Sequence, residues 1–204
     1  MEQLDLFQEK SISQELIKIN NGEYFYIPNF FTKKESDFYL ETLLKKIDWR
    51  QEEMNMYGKN IKFPRLTAWY GDNDKPYSFS GIKLNPNAWT KELQEIKEKI
   101  EPKCVANFNS VLLNLYRNGN DSISWHTDAE KELGINPIIA SVNFGATRKF
   151  QLRHKETKEK IEIKLKHGSL LIMRGELQHF WQHQVPKTKK VVGKRINLTF
   201  RIIK

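Results

Sequence analysis

The chain has 204 residues, 34 Lys and Arg against 25 Asp and Glu for a formal charge of +9, and a single cysteine, Cys104. That length suits one domain with a sizeable core, one cysteine excludes an intramolecular disulfide, and no apolar run reaches the length of a membrane span. The expectation is a cytoplasmic, monomeric protein without a membrane partner, whose basic surplus favours a polyanion, nucleic acid first of all.

In chain order, residues 1–20 read as an N-terminal extension and 21–204 as one domain. Within the extension, Gln3, Leu4, Asp5, Leu6 and Phe7 place three apolar side chains where chain ends are usually polar and frayed. Either the protein's own core or a partner must cover them. Residues 33–47 set Phe38, Leu40, Leu43, Leu44 and Ile47 at near-helical spacing among charges, which predicts an amphipathic helix. Residues 88–100 repeat the pattern with Trp89, Leu93, Ile96 and Ile100. After Pro102 the character changes. VLLNLY, SISWHTD, IIASVNFG, RKFQLRH, IEIKLK, SLLIMR, HFWQHQV and RINLTFRII are short apolar or alternating runs separated by Gly, Asn, Pro or charged turns. They predict at least seven strands with no helix between them, hence an antiparallel sandwich or barrel. The helices of the first half would pack outside this β core, an α+β, mainly β, class. Cys104 reads as a buried, inert thiol.

The sharpest local feature is Trp125-His126-Thr127-Asp128. Residues two apart in a strand project from one face, so the His126 imidazole and the Asp128 carboxylate can converge on one point. A third nitrogen would complete a facial triad of two histidines and one carboxylate, leaving positions open for a cosubstrate and oxygen. His179 and His183 are the two late candidates. In KRINLTFRII, Arg195, Asn197, Thr199 and Arg201 share one parity, and Ile196, Leu198, Phe200 and Ile202 the other. On a barrel-lining strand the two arginines would make a site for a dicarboxylate, since Arg pairs with carboxylates bidentately. A solvated polar face is the bland alternative. Asn114 and Tyr116 in VLLNLY also share a face and can donate to the same anion. An iron triad beside a dicarboxylate site points to oxygen activation driven by 2-oxoglutarate.

Taken together and in order, Tyr57-Gly58-Lys59, PRLTAWYGD, YSFSG, NSVLLNLYRNG, WHTDAE, ASVNFGATRKF, HGSLLIM, WQHQVP and RINLTFR, over roughly residues 57–203, carry a family resemblance. The chain resembles the AlkB family of Fe(II)- and 2-oxoglutarate-dependent dioxygenases, particularly its nucleic-acid-repairing branch. The resemblance implies a double-stranded β-helix (jelly-roll) core over about 104–204 and a nucleotide-recognition part over about 50–90. It implies oxidative demethylation of N-alkylated bases, 1-methyladenine and 3-methylcytosine, in DNA, with formaldehyde, succinate and carbon dioxide released. It places Fe(II) on His126, Asp128 and His183, the last because it precedes the Pro-terminated end of WQHQVP; His179 lacks that context. It places the 2-oxoglutarate carboxylates on Arg195 and Arg201, with Asn114, Tyr116 and Asn197 as hydrogen-bonding companions and Thr199 on the same face.

On the substrate side, the resemblance assigns Tyr77 and Phe79 to stacking on a flipped-out base, a geometry needed because duplex stacking hides the target atom. Glu130 would accept hydrogen bonds from that base, although Ala129 departs from relatives that carry Asp there. Tyr57, Gly58 and Lys59 resemble the tip of a hairpin that fills the gap left by a flipped nucleotide. Arg153 to Lys155 and Lys187 to Lys194 are expected to bind phosphates without sequence preference. His167 reads as a turn or supporting residue, and Trp69, Trp125 and Trp181 as core. The rival functions are the same chemistry on RNA or on a protein side chain, and a catalytically silent nucleic-acid-binding module. Gln3 to Phe7 resembles the short peptide by which bacterial DNA-processing proteins dock on the replicative sliding clamp. Packing of Leu4, Leu6 and Phe7 on the protein's own core is the alternative.

Overall fold

The computed structural model describes residues 15–56, 59–72, 77–79, 82–84 and 86–204. Its first half contributes β1 (Ile17–Ile19), β2 (Gly22–Ile27), α1 (Lys33–Lys46), β3 (Glu53–Met56), β4 (Lys59–Lys62), β5 (Leu66–Gly71), β6 (Tyr77–Phe79), β7 (Ile82–Leu84) and α2 (Lys91–Cys104). The second half is almost all strand: β8 (Ser110–Tyr116), β9 (Ile123–His126), β10 (Ile139–Gly145), β11 (Arg148–His154), β12 (Lys160–Leu165), β13 (Ser169–Arg174), the single turn α3 (Leu177–Phe180), β14 (Trp181–Val185) and β15 (Arg195–Arg201). A larger sheet runs β1-β2-β13-β10-β15-β8-β5 and a smaller one β12-β11-β14-β9. All pairings in both are antiparallel. From β8 onward the chain passes back and forth between the sheets, which is the jelly-roll expected from the run of short strands.

Side-chain alternation sorts the larger sheet into two faces. Val111, Leu113, Val142, Phe144, Leu170, Ile172, Leu198 and Phe200 form one buried cluster with Tyr39 and Leu43 of α1 and Leu93, Ile96 and Ile100 of α2. Residues of the other parity, Tyr116, Ile139, Leu171 and Met173, pack between the sheets against Phe150, Leu152, Trp181 and Val185. The polar stripe of β15 belongs to this second parity, so it faces the interior and not solvent. Trp69 and Trp181 are buried, as expected, and Trp125 is partly covered by the Arg153 guanidinium 4.4 Å above its ring.

Helix α1 begins at a capping box in which Thr32 and Glu35 satisfy each other's backbone N–H groups. Its buried stripe is Ser36, Tyr39 and Leu43. Phe38, assigned to that stripe from spacing, is 53% exposed, because it lies about 100° around the helix from Tyr39. Helix α2 starts at the Thr90 cap, and Trp89 stacks on Phe200 just before it, with ring centroids 6.4 Å apart. The change of character placed at Pro102 comes later in the structure. Pro102 lies within α2, which ends at Val105 in a left-handed cap. A proline so near a helix end leaves few turns to disrupt. Burial pushes the Cys104 thiol up to about 12, so it stays protonated. Strands β3 and β4 pair antiparallel, as do β6 and β7. Among the described residues, no helix is long and apolar enough to cross a membrane.

Candidate metal centre and anion pocket

One cavity between the sheets is lined by Asn114 and Tyr116 of β8, His126 of β9, Asp128 just beyond it, His183 of β14, and Arg195, Asn197, Thr199 and Arg201 of β15. Nine residues singled out from the sequence for iron and 2-oxoglutarate thus share one lining. Cross-strand register explains why. His126 pairs directly with His183, Arg195 with Tyr116, and Asn197 with Asn114, so residues far apart in the chain become lateral neighbours.

The His126 and His183 rings lie 4.2 Å apart, and His126 Nε2 is 3.9 Å from Asp128 Oδ1. One ligand atom from each of His126, Asp128 and His183 fits within a 4.8 Å span. His126 Nδ1 sits 2.8 Å from the Ser124 carbonyl. A carbonyl only accepts, so Nδ1 carries the proton and Nε2 is left as the ligand atom. Asp128 is divided in the same way: Arg201 donates to Oδ2 at 2.9 Å, while Oδ1 is buried with no hydrogen-bond partner. His183 Nδ1 is likewise buried without one. Two neutral nitrogen donors and a half-free carboxylate oxygen suit a cation of the Fe(II) class.

Electrostatics point the same way. Burial draws the His183 pKa down to about 3 and pulls His126 in the same direction, so both imidazoles are neutral and able to ligate at neutral pH. Burial alone would raise Asp128, but the Arg201 guanidinium beside it outweighs burial and holds the carboxyl well below its usual range. A histidine that resists protonation when folded but titrates near 6.5 when unfolded makes the unfolded chain the better proton binder below about pH 6.5. Acid therefore removes stability. Metal-free protein is expected to lose about 1 to 2 kcal/mol at His183 alone between about pH 7 and pH 5, read as a lower Tm. His183→Phe should flatten that slope, and a Tm unchanged across the window in the unsubstituted protein would contradict the assignment.

The anion side is centred on Arg195, which is 1% exposed. Its Nη2 donates to Asn143 Oδ1 at 2.5 Å, and the guanidinium lies 4.9 Å from the Tyr116 ring centroid. Among the described residues, Nε and Nη1 are buried without a hydrogen-bond partner. Burial lowers its pKa to about 10, which leaves it cationic at neutral pH. Among the described residues no carboxylate pairs with it, so a buried charge and two donors await an anion. Asn197 donates to Ser141 Oγ at 2.8 Å and accepts from Thr199 Oγ1 at 3.1 Å, which fixes its amide.

Several contributors were not read from the sequence. Ser141 and Asn143 share the inward parity of β10, a signal present in ASVNFG but used only as part of a pattern. Gln178 of α3 accepts from the Asp128 backbone N–H at 3.0 Å, and Arg65 donates to Asn114 Oδ1 at 2.7 Å. Neither contact leaves a trace in spacing, because each joins segments about 50 residues apart. His167 is a tie, accepting from Gly145 N–H and meeting Asp37 at 3.1 Å. His179 accepts from Asn136 N–H at 3.4 Å and takes no part in the cluster.

Glu130 is half-buried outside the cavity lining, and its Oε2 has no hydrogen-bond partner. Lys59 opens β4, and Tyr77 and Phe79 sit at alternate positions of β6. Tyr57 and Gly58, like Gln3, Leu4, Asp5, Leu6 and Phe7, lie outside the described residues.

The family model for the 2OG-Fe(II) oxygenase superfamily matches residues 23–201. Alpha-ketoglutarate-dependent dioxygenase alkB homolog 3 of Homo sapiens is 44% identical over 186 residues, covering 86% of this chain and 64% of that protein. The chain thus spans a little under two thirds of the length of that relative. DNA oxidative demethylase ALKBH2 of Homo sapiens is 38% identical over 184 residues, covering 85% of this chain and 70% of its own length. The solved structure of OsALKBH1 superposes with a TM-score of 0.63 at 17% identity, over 91% of this chain and all of that one, a likeness of fold. On the family match and these identities, the chain belongs to the AlkB family of 2OG-Fe(II) dioxygenases, whose reagents are Fe(II), 2-oxoglutarate and O2.

Proposed function

We propose that this protein demethylates N-alkylated bases in DNA, 1-methyladenine and 3-methylcytosine among them. The observation that carries the reading is the buried Arg195 guanidinium, which has no carboxylate partner among the described residues, opening onto the cavity that holds His126, Asp128 and His183. His126 Nε2, Asp128 Oδ1 and His183 would hold Fe(II). Arg195 would take a 2-oxoglutarate carboxylate through Nε and Nη1, with Tyr116, Asn114 and Asn197 beside it. Arg201, already donating to Asp128, would steady the other end. The bound iron, 2-oxoglutarate and O2 supply oxidation of the N-methyl carbon, which leaves as formaldehyde alongside succinate and carbon dioxide. The methylated bases are cationic, which suits the Glu130 carboxylate and the aromatic faces assigned to Tyr77 and Phe79. Tyr57 and Lys59 would occupy the gap in a duplex from which the base has been drawn. Lys187 to Lys194 and Arg153 to Lys155 would supply phosphate affinity.

The test is conversion of matched DNA and RNA strands, each carrying one 1-methyladenine, followed by mass spectrometry. Loss of the methyl from DNA at a rate at least equal to that from RNA is expected. Conversion of RNA alone would move the substrate to RNA, and conversion of neither would remove nucleic acid.

Gln3 to Phe7 would dock on a bacterial sliding clamp, with Gln3 anchoring one subsite and Leu6 and Phe7 filling an apolar one. Leu6→Ala with Phe7→Ala is expected to abolish clamp binding in a pull-down with purified clamp, while a short oligonucleotide is still dealkylated. Absence of clamp binding by the unsubstituted protein, or failure of the double variant to fold, would return these side chains to the protein's own core.

A further inference from the structure

The segment 186–194, which joins β14 to β15, carries Lys187, Lys189, Lys190 and Lys194 with little regular structure. Val191 at its tip is fully exposed, and a Cβ added at Gly193 would meet no atom within 4 Å. Five lysines, Lys149, Lys164, Lys187, Lys189 and Lys190, border a cleft of about 670 Å³ at its base. Mutual repulsion among such cations favours opening the segment outward. Something must hold it in.

Arg148 does so. The residue is 3% exposed, and the Asp121 carboxylate attracts its charge without a direct ion pair among the described residues. Its charge is met by three backbone carbonyls: Asn118 at 3.1 Å, Asp121 at 2.9 Å and Pro186 at 2.7 Å. The first two lie in the β8–β9 connection, which the Arg117–Asp121 pair closes through bonds of 2.8 and 2.9 Å. The third starts the lysine segment. A second tie lies alongside, where Thr188 N–H donates to Gly119 O at 2.9 Å. The two backbones approach so closely that a Cβ at Gly119 would stand 2.4 Å from Thr188 O. Both connections flank metal-site strands, the first leading into His126 and the second leaving after His183.

We propose that Arg148 is a positioning residue, a clasp that holds the Lys187–Lys190 segment against the β8–β9 connection so that its cations meet a nucleic-acid phosphate backbone already ordered. This rests on the demethylase reading above. A pre-ordered binding segment avoids the entropy of ordering on contact, so releasing it should weaken strand binding and leave the chemical step alone. Lysine is the informative substitution, because it keeps the charge but its compact ammonium cannot reproduce the guanidinium's planar fork.

The test measures initial rates on a single strand carrying 1-methyladenine, with 2-oxoglutarate varied separately. Arg148→Lys is expected to raise the oligonucleotide KM about tenfold, with kcat and the 2-oxoglutarate KM changed by less than about twofold. Gly119→Ala opens the same junction from the other side and should reproduce that split with Arg148 intact. The decisive readout is a cycle with Lys189→Ala/Lys190→Ala. In the unsubstituted background that pair should raise the oligonucleotide KM about tenfold, but less than about twofold with Arg148→Lys, because a released segment no longer presents its lysines. Additive effects would overturn the clasp while leaving demethylation standing, and so would a lysine pair without effect in the unsubstituted protein. A loss of kcat, or unfolding of both Arg148→Lys and Gly119→Ala, would make the junction part of the fold and equally overturn it. No turnover by the unsubstituted protein would remove the function and the clasp together.

Discussion

His126→Ala is expected to abolish formaldehyde release while leaving the protein folded. The His126 side chain is 27% exposed at the end of β9 and makes one hydrogen bond, to Ser124. Its loss removes little packing but takes away one of the three proposed iron ligands. Groups that only orient a metal ligand cost about 10- to 100-fold when removed, so losing a ligand should cost roughly a thousandfold or more in turnover. Asp128→Ala should share the catalytic defect and differ in stability. Asp128 is 2% exposed and pairs with Arg201, so deleting it breaks a buried ion pair, at about 3 kcal/mol. Thermal melting of both variants with a formaldehyde assay separates the two effects. Equal stability losses would mean that Asp128 is not paired as described, and turnover by His126→Ala would displace the metal site.

Replacing Arg195 should separate ligand affinity from stability in the opposite sense. Without 2-oxoglutarate its charge is buried, with Nε and Nη1 unpartnered, an arrangement that costs stability. Arg195→Met is therefore expected to melt at the same temperature as the unsubstituted protein or above it, as apolar substitutions of uncompensated buried charges do. Its affinity for 2-oxoglutarate should fall by about 100-fold or more, because a desolvated carboxylate would lose a forked, charged partner. Added 2-oxoglutarate should raise the Tm of the unsubstituted protein and leave that of Arg195→Met unmoved. Arg195→Lys should recover part of the affinity, since lysine offers charge without the fork. Unchanged 2-oxoglutarate affinity in Arg195→Met by calorimetry would mean that the polar face of β15 serves another ligand.

The parts of this site that were legible in the sequence are those written in strand alternation. His126 and Asp128 two apart, Arg195 to Arg201 on one parity, and Asn114 with Tyr116 all follow from period two, which survives any packing. The pairing of β8 with β15 and of β9 with β14 then brings them together. What sequence could not supply were contacts that depend on how loops close. Gln178 reaches Asp128 from a four-residue helical turn, and Arg65 reaches Asn114 from the strand-edge segment before β5. Helical period proved a coarser guide than strand period. It placed α1 correctly yet turned Phe38 inward, because apolar residues at 38, 39 and 40 leave the stripe ambiguous by one position. Pro102 looked like a boundary, but position within the last turn, and not residue type alone, decides whether a helix tolerates proline.

The most direct test of the account is the stoichiometry of the reaction on a single-stranded DNA oligonucleotide carrying one 1-methyladenine, supplied with Fe(II), 2-oxoglutarate and oxygen. One succinate and one formaldehyde should appear for each methyl group lost, and both should vanish when Arg195 is replaced by Met at limiting 2-oxoglutarate. Repair without succinate, or succinate formed in proportion to time while the methyl group stays on the base, would contradict it.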